Sequence, residues 1–228
     1  MTLRKAIVAF RFYIYDTVLG LKGKENFLRS LNGHSILLDV GCGNSSPYYT
    51  KRLLPECQYI GIDVSEYHQD RPNLADQYVL SRSADFAAAI EGFREGVDAV
   101  VSNHNLEHVD DREAVLEAMV TALRPGGRIF LAFPSADSVN YPKGREGTLN
   151  YFDDPTHKAL PPDFDWVLGR LQSKGCSIDC AERRYQHWYW KLRGWLNEAR
   201  SRDSNRVLKG TWALYGYESI IWARRAQG

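Results

Sequence analysis

From Ser35 onward, short apolar runs alternate with amphipathic stretches, and this alternation defines the elements. SILLDVG is too short for a helix and is bounded by glycine, which predicts a strand buried on both faces. KRLLPEC closes a helix before QYIGIDVS, a second strand ending at Asp63; a strand, turn, helix, strand unit of this kind implies a parallel pair. QYVLSRSADF predicts a third strand and turn, and VDAVVSNHNLEHV a fourth strand. DREAVLEAMVTALRPGG reads as a helix stopped at Pro125 and the glycines after it, and GRIFLAFPS as a fifth strand. Within that helix Ala114, Val115, Ala118, Met119, Ala122 and Leu123 recur at three- and four-residue spacing, giving an apolar face suited to packing on a sheet.

The alternation breaks over residues 136–165, which are rich in Asp, Asn, Pro, Gly and Tyr and stand where a doubly wound sheet carries its substrate loops. A helix follows over Phe164–Gly175, and CSIDCAERRY and YESIIWARR read as two closing strands joined by a hairpin-like excursion. The expected fold is α/β and doubly wound, a mostly parallel seven-stranded sheet with an antiparallel edge strand and helices on both faces.

Two stretches lie outside this rhythm. The N-terminal run AIVAFRFYIYDTVLGL is interrupted by Arg11 and Asp16 and is shorter than the ~20 apolar residues of a membrane span. It predicts a helical cap over residues 1–30 and leaves transient contact with a membrane surface open. HWYWKLRGW, followed by the basic segment ARSRDSNRVLKG, allows sugar stacking and phosphate pairing. The helical spacing of Trp188, Lys191, Leu192 and Trp195 favours instead a helix whose Trp side chains fill the core while its Lys and Arg face water.

Composition narrows the function classes. With 228 residues and 44% hydrophobic content the chain suits a single domain, comprising the cap (1–30), a central core (31–135), and substrate loops with closing strands (136–228). A net charge of +1 provides no global field for a polyanion, so nucleic acid is not the expected partner. Cys42, Cys57, Cys176 and Cys180 form no CxxC pair and no metal-ligand spacing; the expectation is reduced thiols in a cytoplasmic protein with no metal. Cys42 reads as a small residue that fits its turn rather than as a nucleophile.

Candidate chemistry centres on LLDVGCGNSS. Gly41 and Gly43 let the backbone bend sharply and approach a ligand. A dinucleotide fingerprint would require a third glycine where Ser46 stands. Asp39 beside the turn suits an ammonium group better than a phosphate.

DVGCGNS resembles the first motif of class I S-adenosylmethionine-dependent methyltransferases, with Ser45 where many members carry a third glycine. Asp63 matches the family's acceptor of both ribose hydroxyls, a role that suits an acceptor-only carboxylate. Asp85 matches the position that bonds the adenine amino group, with Ala84 and Phe86 beside it, and Asn103 in VVSNHNLEHV would lie near the methionine end. LRPGGRIFLAFPS resembles the motif around the fifth strand, so the likeness covers residues 35–135 in order and spacing.

The resemblance implies S-adenosylmethionine as cofactor, with Asp39, Gly41, Gly43, Asp63, Asp85 and Asn103 around it. It gives His104 and His108 an orienting role rather than proton exchange. NYFDDPTH resembles a segment of methyltransferases from glycan and lipopolysaccharide biosynthesis. An imidazole changes charge near neutral pH, which makes His157 the candidate base, with Asp154 as its orienting partner. The implied reaction is methylation, at oxygen, of a small polar or glycan-linked acceptor. Its alternatives are a non-catalytic S-adenosylmethionine-binding subunit and an RNA methyltransferase; no NPPY or DPPY tetrapeptide follows the fourth strand.

Overall fold

Five parallel strands, β1 (Ile36–Val40), β2 (Gln58–Asp63), β3 (Gln77–Leu80), β4 (Val97–Asn103) and β5 (Leu123–Pro134), form the core of the sheet. They belong to a computed structural model that describes residues 14, 19–67, 70–141, 149–204 and 206–227. Two further strands, β6 (Cys176–Glu182) and β7 (Glu218–Arg225), complete a seven-stranded sheet in the order β3-β2-β1-β4-β5-β7-β6. Antiparallel pairing is confined to this side, where β7 runs against both β5 and the outermost β6. The doubly wound α/β fold is the one expected; most of the capping helix foreseen over residues 1–30 lies outside the described residues, which take in only α1 (Lys24–Arg29).

Each face of the sheet has its own core. On one, Ile90 of α3 (Phe86–Glu91), Leu116 and Met119 of α4 (Arg112–Ala122), and Val167 and Leu171 of α5 (Phe164–Ser173) pack on Leu38, Val100, Ile129 and Leu131. On the other, Phe27 of α1 meets Leu37, Tyr59, Val101, Phe130 and Trp222. Strands buried on both sides are largely apolar, which is why ILLDV and VDAVVS lack polar alternation. The short α3 was not foreseen. The helix stop at Pro125 falls earlier than expected, because Leu123 leaves α4 to pair with Val97 as the first residue of β5.

The order reverses between β1 and β4, so the crevice at the carboxyl ends of these strands is the place where such a sheet binds ligands. α2 (Ser46–Leu53) starts at this crevice, directly after the glycine turn.

One expectation is corrected. α6 (Trp188–Ser204) is helical, but Trp188, Leu192 and Trp195 are exposed rather than in the core. Its inner face is set by Gly194, which packs against Gly210 at the start of α7 (Thr211–Tyr215), and by Trp190, which meets Trp212 with ring centroids 5.6 Å apart. Close backbone approach at a glycine, not the Trp content of the helix, decides which side faces inward.

A Cβ at Gly194 would overlap the Gly210 carbonyl and lie 2.9 Å from Leu214 Cβ. Gly194→Ala is therefore expected to destabilise the protein by about 1–3 kcal/mol, in spite of alanine's better helix propensity, as read by urea denaturation.

Candidate active site

A cavity of about 950 Å³ opens at the carboxyl ends of β1, β2 and β4. The glycine turn forms its floor. Gly41 has φ +70°, and any Cβ there would collide with the Asn105 side chain, so only glycine allows the loops after β1 and β4 to meet. Ser45, standing where a third glycine is common, also lies in the left-handed region, at φ 64°.

Asp63, at the end of β2, is on the cavity wall and almost fully buried. Its Oδ2 accepts from the Gly43 amide and its Oδ1 from the Val64 amide, each at 2.7 Å. Burial raises its pKa, against the opposing pull of these amides. Gly41, Gly43 and Asn103 also line the cavity.

Asp39 and Asp85 are placed differently from the direct contacts the resemblance implies. Asp39 is buried behind the turn and absent from the wall; its Oδ2 accepts from Lys24 Nζ at 3.0 Å and from Ser46 Oγ and Tyr59 OH at 2.7 Å each. Lys24 and Ser46, in turn, are on the wall. The ammonium suited to Asp39 is thus supplied by the chain itself. Asp85 is exposed in a 3₁₀ turn, paired with Arg82 at 2.5 Å, while its neighbours Ser83, Ala84 and Phe86 line the cavity.

Cys42 faces this space with its thiol pushed up to about 12 by burial and by the charge of Asp39, which leaves it protonated.

At the other end of the cavity the loop after β4 carries His104, Asn105, Glu107 and His108. His104 has φ +53°, an uncommon conformation for a side chain with a Cβ. It is held by Glu107 Oε1 on Nδ1 at 3.1 Å and Glu218 Oε1 on Nε2 at 3.0 Å. Burial disfavours the imidazolium, but the hydrogen bonds and charges of the two glutamates outweigh it and push the pKa up to about 10. His104 is accordingly a charged clamp between β4 and β7.

The structure does bring Asp154 and His157 together, with Nε2 and Oδ2 3.8 Å apart. His157 nevertheless lies beneath the wall, stacked on Tyr151 at 4.1 Å, with Nδ1–H donating to the Tyr151 carbonyl at 2.6 Å. Of the pair His108 and His157, only His108 reaches the wall. Asp154 Oδ1 accepts from Thr156 Oγ1 at 2.6 Å, so Thr156 Oγ1 accepts from His108 Nδ1–H at 2.9 Å. This chain fixes the His108 tautomer and leaves its Nε2 with a lone pair.

Glu107, His108 and His157 each bring one ligand atom within 4.8 Å of the others, and Glu107 Oε2 has no hydrogen-bond partner among the described residues. These donors could hold a divalent cation. Their convergence from two loops has no signature in sequence spacing.

Residues 38–131 match the family described as "Methyltransferase domain". The match falls on the β1–β5 core that carries the glycine turn, Asp63 and Asn103. The chain is 25% identical over 216 residues to the human mitochondrial ubiquinone biosynthesis O-methyltransferase, covering 81% of this chain and 56% of that protein. It is 31% identical over 148 residues to the ubiquinone biosynthesis O-methyltransferase of Chromobacterium violaceum, covering 59% of this chain and 61% of that one. It thus spans little more than half the length of these curated relatives. An S-adenosylmethionine-dependent methyltransferase structure from Mesorhizobium loti superposes with a TM-score of 0.58 at 16% identity, covering 87% of this chain and 96% of that one.

The residues lining the cavity fit the cofactor S-adenosylmethionine. Gly41 and Gly43 open the floor, Asp63 offers a buried carboxylate for a diol, and Lys24 offers an ammonium for a carboxylate. The Asn105 amide nitrogen is buried without a partner among the described residues, a donor still available beside the turn.

Asp63→Asn is expected to weaken S-adenosylmethionine binding by about tenfold to a hundredfold, measured by calorimetry, since it removes a charged acceptor of hydrogen bonds. The His104 clamp sets a pH dependence. Its stabilisation is complete below pH 6.5, the ordinary histidine value, and is lost as pH rises through about 10, where the clamped ring deprotonates. The urea midpoint of the wild type should fall between these two pH values more than that of His104→Gln; equal slopes would remove the clamp from the stability of the fold.

Proposed function

We propose that the protein transfers the methyl group of S-adenosylmethionine to a hydroxyl oxygen of a small polar acceptor, with His108 as general base. The observation that carries this reading is the Asp154–Thr156–His108 chain, which presents an oriented imidazole on the cavity wall. The bound cofactor supplies an electrophilic methyl on a sulfonium. What the chain contributes is position and a proton acceptor: the site brings the nucleophile into line, and a base is needed because a hydroxyl must lose its proton. His108 Nε2 takes that proton, while Thr156 and Asp154 hold the ring.

This moves the base from His157, where the sequence places it, to its neighbour, whose ring centroid lies 4.8 Å away. His157 becomes a support for His108. Transfer to oxygen is also supported by the relatives named above, which are O-methyltransferases. Within the class of polar acceptors, a glycan-linked hydroxyl is the one to which the likeness of Asn150–His157 points; Lys158 and Asp110 on the same wall offer polar contacts for it.

Release of S-adenosylhomocysteine is the assay, with hydroxylated aromatics, glycans and RNA as acceptors. Turnover on a hydroxyl acceptor is expected, and turnover on RNA alone would refute the reading. His108→Ala should lower turnover by about 10²–10⁴-fold with S-adenosylmethionine affinity nearly unchanged, and His157→Ala should lower it less. A larger loss in His157→Ala would return the base to that residue.

A further inference from the structure

The outward face of α6 is apolar. Trp188, Leu192, Trp195 and Leu196 recur at helical spacing with exposures of 60%, 51%, 68% and 68%, on the side opposite the Gly194–Gly210 contact. Single exposed apolar residues are common, but a contiguous ridge of this kind, two of its members Trp, marks a surface that meets another phase or partner.

Charge selects the partner. Lys191 flanks the ridge on one side, with Arg193 and Arg200 on the other; among the described residues none of the three has a carboxylate within 4.0 Å. Of the acidic residues on α6, Glu198 is paired with Arg202 at 2.6 Å, and Asp203 lies in the last turn, beyond the ridge. Cations bordering a Trp/Leu ridge suit a bilayer interface with anionic lipids, where indole rings settle at headgroup level and the cations meet lipid phosphates. The chain before the fold carries a related pattern: Arg4, Lys5 and Arg11 lie in and around the apolar run AIVAFRFYIY. Leu19, which follows that run, lies beside this helix: its carbonyl accepts from His187 Nε2 at 2.8 Å, one residue ahead of α6. These cations disfavour the basic N-terminal run as the cover for the ridge.

Topology places the helix at the working end of the molecule. β6 runs with the parallel strands and β7 against them, so α6 and α7, which connect the two, lie at the carboxyl end of the sheet, as the cavity does. Glu218, the first residue of β7, reaches His104 on the cavity wall. We propose that α6 is a membrane-docking helix that seats the protein, cavity end first, on the surface of an anionic bilayer.

The test is flotation of the full-length protein with vesicles of phosphatidylcholine alone and of phosphatidylcholine containing phosphatidylglycerol. Two variants accompany it, Trp195→Gln/Leu196→Gln and Lys191→Gln/Arg200→Gln, with melting and S-adenosylmethionine binding as controls expected to match the wild type. Wild-type protein should float with the anionic vesicles and far less with neutral ones, and the apolar variant should bind about tenfold more weakly or worse. The charge variant should lose most of its preference for anionic lipid, as should the wild type in high salt. Absence of wild-type flotation would overturn the proposal, as would undiminished flotation of the apolar variant, which would assign binding to another segment. So would a lipid-independent dimer dissociated by Trp195→Gln/Leu196→Gln without vesicle binding, or RNA binding in its place.

Discussion

The site depends on a buried charge. Asp39 is 1% exposed, at the end of a strand covered on both faces, where an unpaired carboxylate would cost several kcal/mol. Three donors on three elements compensate it: Lys24 on α1, Ser46 at the start of α2 and Tyr59 on β2, all on one oxygen. Desolvation and the charge of Asp39 raise the Tyr59 hydroxyl well above its ordinary pKa, so it remains a donor. The glycine turn between β1 and α2 is therefore fixed from behind, and the groups that reach the cavity, Lys24 and Ser46, are aimed by a residue that does not touch it. Its second oxygen has no partner among the described residues, so the compensation is one-sided and the hub is sensitive to any change among those donors.

A second constraint couples this turn to the opposite end of the cavity. Gly41 can sit beneath Asn105 only because it lacks a Cβ, and Asn105 follows His104, whose left-handed backbone is held by Glu107 and Glu218. The ion pairs offset the backbone strain. Through them β7, far along the chain, controls the loop between β4 and α4, and the same loop carries His108. The cofactor side and the acceptor side are thus one connected arrangement, and a shift of β7 would be felt at both.

How much of this is legible in the sequence follows from the range of the interactions. The five parallel strands and the roles of Gly41, Gly43 and Asp63 lie in continuous segments whose hydrophobic period and glycine placement carry the information. Lys24, by contrast, belongs to a short helix without motif character, and its partner is 15 residues away. The His104–Glu218 bond spans 114 residues and the His108–Thr156 bond 48, and no local pattern encodes either. Asp85 stands at the matching position, yet its carboxylate pairs with an arginine three residues before it while its neighbours Ser83, Ala84 and Phe86 line the cavity.

The α6 helix shows why periodicity alone cannot orient an element. A ridge of Trp188, Leu192, Trp195 and Leu196 is equally good evidence for a face buried in the core and for a face meeting an apolar phase outside it. The decision rests on the opposite side, where Gly194 allows α6 to lie on the Gly210 backbone and Trp190 fills the remaining gap against Trp212. Once that contact is made, rotation of the helix by about 100°, one residue's turn, would force Trp195 into a space sized for a hydrogen atom. The outward ridge is then a fixed consequence of packing, and its persistence on a surface otherwise rich in charge has to be accounted for by what the protein meets.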